Sequence, residues 1–344
     1  IALSREVFTK SEEILHFGDV AMYESKRHGK GRVTLFDRGM LEESNKQEQL
    51  QSELEHALTR GQFLMHYQPS VEVKSGRIVG AEALIRWRRE SGELLYPAEF
   101  LPLAEKSDLI HQIGEWAMRT ACAQARDWQR AGLSPVRVSV NLSARQFQER
   151  TLPERVLRVL AETDLEPKWL ELELTESALV KSLDQAGAML TSLADLGIRT
   201  AIDNFGTGSS SLTSLRQYHV QTLKLDRGFV AELPAQAKTA AVARGLITMA
   251  HHLGLAVVAE GVESREQFQF LLQEGCDQVQ GYLTGRPSTL EDMTAMLQAS
   301  APLVVPKPAE TLSPDLSKLS AAHVAPVPSG ALRWAAERRA RESR

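Results

Sequence analysis

The 344-residue chain has only two cysteines, Cys122 and Cys276, 154 positions apart. That spacing fits no zinc-ligand or redox pattern, and so few thiols suit a reducing compartment; a single bridge between them is the alternative. Long apolar runs are missing too. Nothing approaches the roughly 18 to 20 residues that span a bilayer, and the N-terminus has no signal-peptide pattern. Neither sign of charge dominates, since 40 basic residues against 44 acidic give a net charge of -4. No footprint for duplex nucleic acid is visible, so an anionic substrate would have to be held by local positive charge or by metal. What is present is 43% apolar residues, enough for a substantial core in one large domain or two ordinary ones. Because the chain starts with Ile1, it is expected to be a piece of something longer.

Residues 1–40 contain "FGDVAMYESKRHGKGRVTLFD", a helical stretch followed by glycines and a short expected strand over 33–36. So short a segment buries too little to fold alone and reads as the end of a domain. Within 41–61, Leu50, Leu54, Ala57 and Leu58 share one helical face, which predicts an amphipathic linker helix over 46–60. From 62 to 300, eight short apolar runs alternate with helical patterns: "FLMHYQPSVEV", "IVGAEALIRW", "VRVSVNLS", "LELELTE", "IRTAID", "TLKLD", "AVVAEGV" and "DQVQGYL". This alternation predicts a parallel α/β architecture of the size of a (β/α)8 TIM-like barrel, with an open doubly wound sheet as the alternative. The turn "KSGR" joins the first two runs, so the barrel should contain one antiparallel strand. Residues 301–344 turn Pro- and Ala-rich and end in "ALRWAAERRARESR", a linker or tail whose end is a short basic helix or a solvated terminus.

The informative feature is where each run stops. Glu82, Asn141, Glu173, Asp203, Lys224 with Asp226, and Glu260 fall at or near successive strand ends. In a parallel barrel these ends gather on one face, where such folds place their chemistry. One acid there is often a helix N-cap or salt-bridge partner, but six such positions in succession are hard to explain that way. Four carboxylates on one rim repel one another unless cations neutralise them. An all-oxygen set, with Asn141 supplying an amide oxygen, suits Mg²⁺ or Mn²⁺. Lys224 can orient a water or stabilise negative charge there, or it snorkels past the barrel mouth. Arg86 matches phosphate oxygens, or is a surface charge beside Arg88 and Arg89. His251 and His252 lie in an apolar helical stretch and read as structural. The loop "DNFGTGSSSL" lacks the lysine of a phosphate-binding P-loop and the third glycine of a dinucleotide fingerprint. Its glycines are better read as letting the chain bend over a metal site next to Asp203.

These motifs resemble one family. "YQP" (67–69), "EALIRW" (82–87), "PAEFLPLAE" (97–105), "NLS" (141–143), "ELTE" (173–176), "DNFGTG" (203–208), "LKLD" (223–226), "AEGVE" (259–263) and "QGY" (280–282) run in the order of EAL-domain cyclic di-GMP phosphodiesterases, over residues 45–295. The segment with "GDVAMYESKRHGKGRV" resembles the last helix and strand of a GGDEF domain, without that domain's signature. The resemblance implies hydrolysis of cyclic di-GMP to linear pGpG with two Mg²⁺ or Mn²⁺ ions, in a cytoplasmic domain that forms homodimers. Upstream sensor or membrane segments of the full protein are compatible with it. Carried over by motif, Glu82, Asn141, Glu173 and Asp203 bind metal, and Glu260 belongs at the second ion or acts as base. Lys224 holds the attacking water, and Glu176 anchors the glycine loop. Gln68, Arg86, Asp226 and Gln280 approach the ligand. Two positions depart from the family's Asp-Asp-Phe-Gly-Thr-Gly-Tyr: Asn204 and Ser209. Asn204 still offers an oxygen to metal but removes a negative charge. The competing expectations are therefore an enzyme, a cyclic di-GMP receptor with weakened catalysis, and a partner-docking module.

Overall fold

The structure, a computed structural model, describes residues 11–27, 33–180, 183–206 and 218–304. Helices α1 (Ser11–Arg27) and α2 (Arg38–Ala57) precede the strands. Residues 33–37 take no regular structure, in place of the strand expected there. Among the described residues no strand lies beside them to complete a ladder, and Phe36 stacks on Phe17 of α1 at 4.4 Å between ring centroids. Asp37 then starts α2 early, its carboxylate accepting the amide of Gly39. Leu50, Leu54 and Ala57 carry the buried face of α2 into the main core.

Strands β1 (Phe63–Glu72) and β2 (Ile78–Arg88) form an antiparallel hairpin, with Gln68 opposite Glu82. Its turn needs Gly76, which has φ +68° and whose Cβ position is filled by the Val304 carbonyl. The two-residue β3 (Leu94–Leu95) is added to the outer end of β2. Then follow β4 (Arg137–Leu142), β5 (Leu170–Thr175), β6 (Arg199–Phe205), β7 (Thr222–Leu225), β8 (Ala256–Ala259) and β9 (Gln278–Val279). Strands β2 and β4 to β9 pair in parallel, and β9 meets β1 antiparallel through Val71 and Val279. The sheet therefore closes into an eight-stranded α/β barrel with one antiparallel strand and β3 as an extra, and the open-sheet alternative falls away.

The crossover elements are α3 (Pro97–Ala104), α4 (Leu109–Arg130), α5 (Ala144–Phe147), α6 (Leu152–Thr163), α7 (Glu176–Val180) and α8 (Leu183–Asp195), then α9 (Arg227–Ala231), α10 (Ala237–His252), α11 (Arg265–Gln273) and α12 (Leu290–Ala299). Strand β5, "LELELT", shows how the layers divide. With a side-chain period of two, Leu170, Leu172 and Leu174 enter the apolar layer while Glu171 and Glu173 reach residues of β6 and β7 across the barrel. The reading of these strands as apolar runs misses this: the barrel interior is polar in two layers. At the end where the parallel strands begin, Glu171 accepts from Arg199 at 3.1 Å and from Thr222 at 3.1 Å, with Arg137 at 3.6 Å. After α12 the chain runs along the β1–β2 turn, Leu303 donating to the Gly76 carbonyl at 2.8 Å. The basic segment expected near the C-terminus lies outside the described residues, and among the described residues no helix is long and apolar enough to cross a membrane.

Candidate functional site

The second polar layer, at the C-terminal ends of the parallel strands, is built by register. Asn141 on β4 stands beside Glu173 on β5, and Asp203 on β6 beside Thr175. Lys224 on β7 projects into the middle of that face. Its Nζ lies 2.6 Å from Glu173, 2.7 Å from Glu260 and 3.2 Å from Glu82, with Asp203 at 4.0 Å. The ammonium donates to Glu173 and Glu82 and forms an ion pair with Glu260. The structure thus brings together Glu82 from within β2, Glu173, Asp203, Lys224 and Glu260.

Three buried carboxylates, Glu82, Glu173 and Asp203, and the half-buried Glu260 against one ammonium leave the cluster with surplus negative charge. Burial, with Glu82 close by, pushes Glu173 well above the usual carboxylate range. Burial likewise raises Asp203, against the pull of Lys224. Glu260 is pushed up to about 7 by burial, again against Lys224. Burial acts on Glu82 too, but Lys224 and the amides of Gln280 and Asn141 together hold it below its ordinary value. Burial opposes the charge on Lys224, yet the surrounding carboxylates keep the ammonium protonated far above its usual range. The cluster is short of positive charge.

Each acid has a fixed neighbour. Asn141 Nδ2 donates to Glu82 Oε1 at 2.7 Å, which leaves its Oδ1 to turn toward a cation. Gln280 Nε2 donates to Glu82 Oε2 at 2.6 Å and to Gln68 Oε1 at 3.0 Å. Glu176, buried at the start of α7, accepts the Gly206 amide at 3.0 Å, so it ties down the entrance to the glycine loop. Gly206 has φ +96°, and a Cβ there would meet the Phe229 ring at 2.6 Å. Asn204, at φ +54°, grips Asp203 twice: its backbone N–H donates to Oδ1 and its Nδ2 to Oδ2, both at 2.8 Å. Thr207, Gly208 and Ser209 of the same loop lie outside the described residues.

Arg86 lies four residues beyond Glu82 on one face of β2, roughly 13 Å along the strand. It is 4% exposed, and one guanidinium nitrogen donates to the Ile85 carbonyl at 2.8 Å. Its Nε is buried without a hydrogen-bond partner, and the guanidinium sits 4.8 Å from the centroid of the Tyr96 ring. It is not a surface charge. Asp226 instead caps α9, accepting the Gly228 amide at 2.8 Å, and is half-buried. His251 pairs with Asp277 at 2.9 Å outside the cluster, and His252 is exposed on α10.

Among the described residues no group of three or more His, Cys, Asp or Glu side chains is set to hold a metal ion as it stands. The Lys224 ammonium lies among the carboxylates of the barrel face. The donor set nevertheless fits a hard divalent cation: every ligating group is oxygen, and the surplus charge is negative. Glu82, Asn141, Glu173 and Asp203 would hold it, with Glu260 beside them.

The family profile of the EAL domain matches residues 51–287. The chain belongs to the EAL family. The bifunctional diguanylate cyclase/cyclic di-GMP phosphodiesterase MucR of Pseudomonas aeruginosa is 41% identical over 283 residues, 82% of this chain and 41% of that protein. The Escherichia coli cyclic di-GMP phosphodiesterase PdeR is 34% identical, over 83% of this chain and 43% of that protein. The chain thus spans about two fifths of the length of these relatives. Among solved structures, the MucR phosphodiesterase in complex with c-di-GMP shares 42% identity, covering 71% of this chain and 99% of that one with a TM-score of 0.68. The EAL domain of Pseudomonas aeruginosa FimX bound to c-di-GMP shares 26% identity, covering 72% and 97%, with a TM-score of 0.65. Cyclic di-GMP phosphodiesterases of the EAL family generally depend on divalent metal.

Sequence reasoning missed three features. The Gln280 contact with Glu82 joins residues 198 positions apart, and no local pattern signals it. Tyr96 over Arg86 was equally invisible. The Glu171, Arg137 and Arg199 layer had a signal in the alternation of "LELELT", which reads acid at every second position.

Proposed function

We propose that this EAL domain hydrolyses cyclic di-GMP to linear pGpG at the carboxylate face, with two Mg²⁺ or Mn²⁺ ions. The observation that carries the reading is the convergence of Glu82, Glu173, Asp203 and Glu260 on Lys224, in a chain 42% identical to a phosphodiesterase whose structure holds c-di-GMP. Water adds to one phosphorus, the P–O3′ bond breaks, and the 3′-oxygen leaves as a hydroxyl, giving a 5′-phosphate. Divalent cations supply Lewis-acid charge for the phosphoryl oxygens and lower the pKa of water.

The chain's own groups do the rest. Glu260, half-buried at the edge of the cluster, is suited by position to take the proton of the attacking water. Lys224 donates to oxygen at the same face once a carboxylate releases one of its N–H groups. Arg86, with a buried unpartnered Nε, is suited to hold the second phosphate, Tyr96 keeping its guanidinium plane in place. Asp226 flanks the ligand beyond β7. Residues 1–40 are read as the end of a GGDEF domain, supported by the bifunctional naming of MucR.

A second reading, a receptor with weakened turnover, is favoured by Asn204, whose amide already occupies one oxygen of Asp203. Incubation with cyclic di-GMP and Mg²⁺ or Mn²⁺, followed by chromatography, separates the two. Release of pGpG is expected; retained cyclic di-GMP without product would establish the receptor.

A further inference from the structure

The motif resemblance places Gln68 and Gln280 against the ligand, but their hydrogen bonds point inward. Gln280 is 5% exposed, and Nε2 directs one N–H to Glu82 Oε2 at 2.6 Å and the other to Gln68 Oε1 at 3.0 Å. Its orientation is set by chemistry, because an ionised carboxylate accepts and never donates. Both N–H donors are therefore committed, and little surface is left for a substrate. Gln68 passes the contact on, its Nε2 donating to the Gly285 carbonyl at 3.0 Å.

That carbonyl belongs to a segment held on both sides. The Gly281 carbonyl accepts from Thr284 N at 3.1 Å and from Gly285 N at 3.0 Å, and Tyr67 exchanges two backbone hydrogen bonds with Ser288 at 2.8 and 3.0 Å. Gly281 packs so closely on the Val262 backbone that a Cβ there would overlap it. The far end of the chain of amides is thus anchored on backbone that cannot readily shift. At the near end, Glu82 has Oε1 held by Asn141 and Oε2 held by both Gln280 and Lys224.

We infer that Gln280 and Gln68 are positioning residues: a two-amide relay from the Gly285 carbonyl that fixes the rotamer of the metal ligand Glu82. A ligand held at one orientation binds metal more tightly than one that must be ordered, and loss of such an outer partner typically costs ~10–100-fold in metal affinity. The inference rests on the metal-dependent reading above.

The test is Mn²⁺ affinity by calorimetry for wild type, Gln280→Met, Gln68→Met and the double variant, with KM for cyclic di-GMP measured at saturating Mn²⁺. Methionine keeps the length of the side chain and removes the donors, and circular dichroism reports whether each variant folds. Gln280→Met is expected to weaken Mn²⁺ binding about tenfold or more with KM within about twofold. Gln68→Met should give a smaller loss that vanishes in the Gln280→Met background, because it acts only through that amide. A raised KM with unchanged Mn²⁺ affinity would make the glutamines substrate contacts and overturn the relay. Equal, additive losses from the two sites would do so as well. If Gln280→Met fails to fold, Gln68→Met alone decides: unchanged Mn²⁺ affinity sinks the proposal. Wild type that binds Mn²⁺ without hydrolysing cyclic di-GMP would remove the enzymatic reading and leave the relay to be judged on affinity. Wild type that binds no Mn²⁺ overturns both.

Discussion

Lys224 hydrogen-bonds Glu82 and Glu173 and pairs with Glu260, so in the metal-free protein it serves as the counter-ion of the whole cluster. Removing one partner of a buried ionic network leaves uncompensated charge and costs about 3–5 kcal/mol. Lys224→Met is therefore expected to lose stability of that order in chelator, measured by urea unfolding, and to regain a part of it in Mn²⁺. A loss no larger than that of an exposed lysine would contradict the role. Asn204 acts on the neighbouring acid. An aspartate there cannot donate to Asp203 Oδ2, and it adds a negative charge where a cation is wanted. Asn204→Asp should bind Mn²⁺ about tenfold more tightly, a gain of about 1.4 kcal/mol. Calorimetry giving equal affinities would show that the amide is no handicap.

Helix α2 is more than a connector. Its last turns place Leu50, Leu54 and Ala57 in the same core as β1 and β2, and Leu54 is fully buried. Leu54→Ala removes that packing and is expected to destabilise the barrel by about 2–5 kcal/mol, read as a lowered urea midpoint with an unchanged slope. A change under about 0.5 kcal/mol, the range of surface substitutions, would mean that α2 is dispensable to the barrel. A signal entering at the upstream end of α2 would thus act on a helix already built into the core. The β1–β2 hairpin has a similar double duty: its strands carry Gln68, Glu82 and Arg86, and its turn receives Leu303 and Val304.

At the scale of the whole molecule, the acidic cluster makes the folded state a better cation binder than the unfolded chain. Divalent metal at a hundred times its dissociation constant should stabilise the protein by about 2.7 kcal/mol. For a domain of this size that corresponds to a melting temperature about 5–10 °C higher in Mn²⁺ than in chelator. Scanning calorimetry with no difference between the two would deny metal binding altogether. The sequence by itself determined the alternation of short strands and helices, the hairpin turn at Gly76 and the polar residue at each strand end, because these follow from local periodicity and backbone chemistry. It also carried the motifs of the family. Only the tertiary structure decided that Lys224 meets Glu82 and Glu173 from two other strands and Glu260 just past a third, that Gln280 reaches Glu82 across 198 positions, and that Arg86 is buried against Tyr96. Those contacts depend on barrel closure and on the register between strands, and a hydrogen bond is made or lost within a fraction of an ångström that no local pattern specifies.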